Sequence, residues 1–204
     1  MSTDTPKRRL RGPARRELIV EAALAEFAAH GYDAASMGRI GQAAGVTRAV
    51  LYDHFPSKRA LFDTLLRSEQ AVLLGRLSEA FDADAPARDR MRDAFDALFA
   101  VAEDQPQTWR LLFPEHAPVD DGAAADHRRH RAEANRLIAD MLAPEAQRAG
   151  LDPASNVAQA AFALQRAALR GIVDWWYAHP AVTREELVAA AMQALWTGMR
   201  GAGA

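Results

Sequence analysis

The sequence contains no cysteine, which removes disulfides, thiolate zinc sites, iron–sulfur clusters and thiol redox sensing together. Long apolar runs are also missing. Arg, Glu, Asp or Gln interrupts every hydrophobic stretch well before the roughly 18 residues that a membrane span requires, so no membrane partner is expected. Residues 1–16 are polar and basic and lack the apolar centre of a secretory signal, which points to residence in the cytoplasm. Alternating Val, Ile and Thr are scarce, which argues against sheets. There is no Gly-rich phosphate loop and no Gly-x-Ser-x-Gly elbow, so no catalytic residue, enzyme activity or cofactor is expected.

What is present is a chain of 204 residues, half of them hydrophobic, enough to bury a sizeable core in one or two domains. The formal net charge of -2 hides an asymmetry: residues 1–60 hold ten Lys and Arg against six Asp and Glu, and the remainder holds fifteen against twenty-one. A basic beginning on an acidic remainder suits a nucleic-acid-binding head on a body with another task.

Apolar residues recur at helical spacing almost throughout, which predicts an all-α fold of about nine helices. Ile19, Val20, Ala23, Leu24 and Phe27 form the first stripe, in a helix over about 14–30 that Gly31 should stop. Ser36 and Thr47 are placed to cap two short helices, about 36–44 and 47–54, with Gly45 at the turn between them. Ser57 opens a longer helix to about 81. Further helices are expected near 87–104, 106–113, 123–142, 154–178 and 184–200, punctuated by Pro106, Pro114, Pro118, Pro144, Pro153 and Pro180.

The stretch from Ser36 to Lys58 has the grammar of a helix-turn-helix, at about 36–55. Ala43, Ala44 and Gly45 are small where two short helices must touch, and Ile40, Val46, Leu51 and Phe55 can fill one miniature core. Arg48, Ala49, Val50 and Tyr52 then occupy the start and outer side of the second helix, where such motifs meet base edges. A guanidinium at Arg48 can bond guanine O6 and N7 together, and Ala49 and Val50 suit a thymine methyl. The run Lys7-Arg8-Arg9-Leu10-Arg11 offers phosphate or minor-groove contacts.

Phe27, Gly31, Ile40, Ala44-Gly45-Val46, Leu51-Tyr52, His54-Phe55, Lys58 and Leu61 resemble the N-terminal signature of the TetR family. The resemblance covers about residues 13–73 and implies a DNA-binding head there, with a ligand-binding and dimerisation body over 74–204. It implies a homodimeric regulator that leaves a double-stranded DNA operator when a small effector binds. By position it places Thr47, Arg48, Ala49, Tyr52 and His54 near DNA and Lys58 at a phosphate; Ser36 is also expected at the DNA. Gly41 departs from the family's usual Ala and weakens the second helix by about 1 kcal/mol.

In the body, Ala160, Ala163, Ala167 and Gly171 form one small-residue stripe and Ala190, Ala194, Gly198 and Gly201 another. With the resemblance, these suggest two helices pairing with their symmetry mates in a four-helix dimer interface. Two recognition helices then require a roughly palindromic operator. A largely hydrophobic effector pocket is expected among Phe99, Trp109, Phe113, Phe162 and Trp175, with Arg110, His130, Gln165 and Arg166 as polar members. His127 and His130 lie three apart with Glu133 nearby, but Arg128, Arg129 and Arg131 disfavour a cation, and no metal is expected. The competing reading is a helical ligand-binding or scaffold protein whose head has lost its affinity for DNA.

Overall fold

A computed structural model describes residues 12–80, 84–148, 152 and 155–196, without the side chains of 139, 141–148, 158–159, 161–162 and 195–196. The chain folds as nine helices among these residues: α1 (Gly12–Ala34), α2 (Met37–Ala43), α3 (Arg48–His54), α4 (Lys58–Ala80), α5 (Ala87–Asp104), α6 (Pro106–Leu112), α7 (Asp121–Arg148), α8 (Asn156–Tyr177) and α9 (Arg184–Ala191), the last continuing into a π-helical turn, Met192–Trp196. The all-α expectation holds. No helix among the described residues is long and apolar enough to cross a membrane.

Two departures from the sequence reading have local causes. Gly31 kinks α1 instead of ending it, with φ 70 and ψ 173; only glycine adopts that conformation without strain, and the chain resumes helical turns to Ala34. The seventh helix starts at Asp121 and runs through Pro144 to Arg148. Its early start follows from two acceptors: Asp120 takes the Ala123 N–H at 2.8 Å, and Asp33 takes the Val119 and Asp120 N–H groups at 2.8 and 3.2 Å. The helix continues past Pro144 even though a proline there removes one i→i−4 bond.

Two cores share one helix. The first gathers Ile19, Ala23 and Phe27 of α1, Ile40 of α2, Leu51 and Phe55, and Leu61, Phe62, Leu65 and Leu66 of α4, together with Leu111 and Ala123 from the body. Phe62 packs edge-on to Phe27 at 5.1 Å and lies 4.9 Å from Tyr32. The second gathers Leu73 and Leu77 of the same α4 with Phe95, Phe99, Val101, Trp109, Leu169, Val173, Trp176 and Leu187. Thus α4 joins head to body by burying successive turns of one apolar face in two different places.

Ionic and hydrogen-bonded contacts then tie the two regions. Asp126, 3% exposed, pairs with Arg59 at 2.5 Å and with Arg129 at 2.9 Å, and the Arg59 guanidinium lies against Gly122, where a Cβ would sit 2.6 Å from it. Asp63 accepts from Arg129 at 2.9 Å and faces His130 Nε2 at 2.8 Å, while Thr108 donates to Glu69 at 2.5 Å. The His130 bond, first, then the Arg67 and Arg129 charges, hold Asp63 below the usual carboxylate range against the opposing effect of burial.

Gly41 is buried in α2, yet an added Cβ would meet only Leu51 Cδ2 and the Val46 carbonyl, both at ordinary contact, 3.5 Å. Gly41→Ala is therefore expected to raise the melting temperature by about 2–4 °C, the equivalent of roughly 1 kcal/mol of helix propensity in a chain of this size. Thermal unfolding followed by circular dichroism checks it, and a fall in melting temperature would contradict it.

Candidate nucleic-acid interface and ligand cavity

Each short helix begins on its own cap. Ser36 Oγ accepts the Arg39 N–H at 3.5 Å, and the Ser36 N–H is taken by Glu26 at 2.8 Å. Thr47 Oγ1 accepts the Val50 N–H at 3.4 Å. The turn between the helices places Gly45 at φ 64, a left-handed conformation that favours glycine. Arg39 fixes α2 onto α1 by donating to Glu26 at 2.7 Å and to the Ala34 carbonyl at 2.6 Å. Sequence reading missed this brace, whose two charges lie thirteen residues apart.

With Ile40, Leu51 and Phe55 at 0%, 1% and 3% exposure, α3 has its inner side fixed and its outer side free. Thr47, Arg48, Ala49 and Tyr52 are exposed, and Val50 and His54 are half-buried at the edges. Arg48 lies over the Tyr52 ring at 5.4 Å, so the two exposed side chains brace each other. Ser36 acts as a cap at the base of α2. The Lys58 Nζ donates to the Tyr32, Asp33 and Ala35 carbonyls at 2.8, 3.2 and 3.3 Å and sits 4.4 Å from the Tyr32 ring centroid, so within the chain it serves carbonyls at and just past the end of α1. The basic run at residues 7–11 lies outside the described residues.

In the body, a cavity of about 140 Å³ lies among α4, α5, α6, α7 and α8. Phe113, His130, Gln165 and Arg166 line it as the sequence suggested. Others do not. Phe99 and Trp109 are wholly packed in the core at 0% and 1% exposure, with Trp109 stacked on Phe113 at 4.1 Å. Arg110 is exposed and reaches Tyr177, 5.6 Å from its ring. Trp175 is 48% exposed and stacks on His179, whereas its neighbour Trp176 is buried and bonds the Val182 carbonyl at 2.7 Å. Adjacent helical residues point about 100° apart, so only one of the pair can face the core, and Leu169, Val173 and Trp176 form the inward stripe. The Phe162 side chain lies outside the described residues.

The cavity also contains residues that sequence reasoning did not assign to it. Gln70 is 7% exposed within the apolar face of α4; a polar residue four after Leu66 and three before Leu73, on the same helical stripe, is the available signal. His127, considered only as a metal ligand, lines the cavity with Arg131 and Asn135. Burial, followed by the Arg166 and Arg131 charges, pushes His127 down to about 4 despite its bond to the Leu112 backbone, so the imidazole is neutral near pH 7. Among the described residues no group of three or more His, Asp or Glu side chains converges as a metal site.

The small stripe of α8 faces outward. Ala160, Ala163, Ala167 and Gly171 are exposed, as are Ala190 and Ala194, and Val157 and Leu164 beside them are 69% and 72% exposed. Gly198 and Gly201 lie outside the described residues.

Residues 19–65 match the family described as bacterial regulatory proteins, tetR family, and residues 76–203 match the tetracyclin repressor-like C-terminal domain. The HTH-type transcriptional activator FasR of Mycolicibacterium smegmatis is 34% identical over 117 residues, which is 57% of this chain and 53% of FasR. The chain spans about half the length of the curated relatives it first matches. In fold it is similar to a TetR-like transcriptional regulator from Rhodococcus sp. RHA1, with TM-score 0.74 at 19% identity, covering 95% of this chain and all of that one. It is also similar to FadR from Bacillus subtilis in complex with stearoyl-CoA, with TM-score 0.65 at 17% identity over 88% of this chain and 95% of FadR.

Proposed function

We infer, from the premise that this chain belongs to the TetR family of bacterial regulatory proteins, that it is a homodimeric repressor holding a palindromic operator in the cytoplasm until a small, largely hydrophobic effector enters its body. The observation that carries this reading is α3: a capped helix with one side buried and Arg48, Ala49 and Tyr52 on the other. A helix so fixed can enter a major groove without first ordering itself, and Arg48 has the geometry for bidentate contact with guanine. One α3 covers one half-site. Two, related by a dyad through the outward stripes of α8 and α9, land about one DNA turn apart or a multiple of it.

Release follows from the shared helix. The cavity is lined by Leu66, Gln70, Leu73 and Leu77 of α4 and by His130, whose other contact is Asp63 on the same α4. An effector that respaces these groups acts on the helix carrying the head, with differential contacts in the bound and released arrangements supplying the coupling. FadR, with its stearoyl-CoA, supports a ligand-binding body. FasR is an activator; repression here is the direction proposed for this chain.

Selection of bound sequences from random duplex DNA tests the reading, with an enriched palindrome as the expected outcome. Arg48→Ala is then expected to cost about 1–3 kcal/mol on the selected site while leaving nonspecific binding nearly unchanged. Failure to enrich any palindrome from the ligand-free protein at modest salt would favour a ligand-binding protein with an inactive head.

A further inference from the structure

We propose that the cavity ligand is a small organic anion, an aromatic or short-chain carboxylate of about six to ten heavy atoms, whose carboxylate pairs with Arg166 at the junction of α6, α7 and α8. This deepens the regulator reading and rests on it.

The lining divides by charge. Helices α4 and α5 contribute Leu66, Leu73, Leu77, Met91, Phe95 and their neighbours, with Gln70 as their one polar side chain; the charged side chains, Arg131 and Arg166, come from α7 and α8, and no carboxylate lines the space. Arg166 is held 5.4 Å from the Phe113 ring, which places its cation beside the apolar interior. Burial, then the like charges of Arg131 and Arg170, bring it down to about 10. Of these, Arg170 has its own acid, Asp174 at 3.1 Å. Arg166 has no carboxylate partner among the described residues. A half-buried guanidinium beside other cations is costly unless paired, and a ligand carboxylate relieves that cost in a bidentate geometry that suits guanidinium. Neutral His127 and the Gln165 amide offer further hydrogen bonds without adding charge.

The volume sets the size. A cavity of about 140 Å³ is close to the ~150 Å³ engineered cavity that takes up benzene, so one ring or a short chain fills it. The charge and the size are independent observations, and together they define an amphipathic monoanion, not a neutral hydrocarbon.

Isothermal titration of the DNA-free full chain with benzoate and hexanoate, each beside its uncharged amide, tests the inference. Each acid is expected to bind at least about tenfold more tightly than its amide, the effect of one charge-assisted hydrogen bond. Arg166→Gln is expected to remove that preference, and Arg166→Lys to keep most of it, which separates loss of charge from loss of fold. Equal binding of acid and amide, no binding of either acid at millimolar concentration, an acid preference that survives Arg166→Gln, or tighter binding of stearate than of hexanoate would each overturn the proposal. In a separate arm, operator binding by wild type and Arg166→Gln is measured without ligand. Intact DNA binding with no acid preference refutes the ligand class alone, whereas loss of wild-type DNA binding refutes the regulator reading whatever the titrations show.

Discussion

Ala167→Glu combined with Ala194→Glu is expected to yield a folded monomer whose operator affinity is lower by about 10²–10⁴, the range over which linking two binding units changes avidity. Both alanines are exposed, so the substitutions disturb no internal packing and the fold survives. In the proposed dimer the same positions meet across a dyad. Every substitution then occurs twice, and four carboxylates are confined to a surface that carries Val157 and Leu164. The last two, 69% and 72% exposed, are apolar side chains of the kind that mark an interaction face when grouped. Sedimentation velocity reads the association and fluorescence anisotropy reads the DNA affinity. A dimer that persists would exclude this face, and a monomer that binds the palindrome undiminished would refute the need for two simultaneous half-sites.

Lys58→Met should lower stability by about 2–3 kcal/mol while leaving the salt dependence of residual operator binding unchanged. Methionine keeps the length and apolar character of the stem but removes the ammonium that serves the Tyr32, Asp33 and Ala35 carbonyls. Those acceptors lie at the end of α1, where a positive charge also opposes the negative end of the helix dipole. The contact with the Tyr32 ring is lost as well. Chemical denaturation measures the first effect and a salt titration of DNA affinity the second. Unaltered stability with a salt slope lowered by nearly one would return Lys58 to the phosphate role that its sequence position suggests.

The difference between these two cases shows what one sequence makes legible. Caps, turns and helix faces are local, so Ser36, Gly45, Thr47 and the alternation of buried Leu51 with exposed Tyr52 follow from spacing. Lys58 falls in the right place for either a backbone cap or a phosphate, and only the approach of α1, more than twenty residues earlier, decides. The head-to-body pairs are longer-range still: Arg59 meets Asp126, and Asp63 meets His130, across sixty-seven residues. Nothing in local patterning announces them. In the body, apolar bulk identified the core but did not distinguish it from a cavity wall. Phe99 and Trp109 are packed on all sides, whereas Gln70 and His127, polar residues on otherwise apolar helix faces, mark the space. The small-residue stripe of α8 is legible from residue size, and its exposure depends on which of Trp175 and Trp176 turns inward.

Leu111 and Ala123 belong by sequence to the body and by packing to the core beneath α1 and α4, and Asp33 at the end of α1 holds the chain just ahead of α7. The DNA-reading portion is therefore not an interchangeable cassette. A chimaera that transplants residues 12–66 onto the trunk of a relative inherits a floor cut for a different head, and would have to import Leu111, Val119, Asp120 and Ala123 with it. Under the proposed function, the outer side chains of α3 are the positions where operator preference can change while leaving that shared floor untouched.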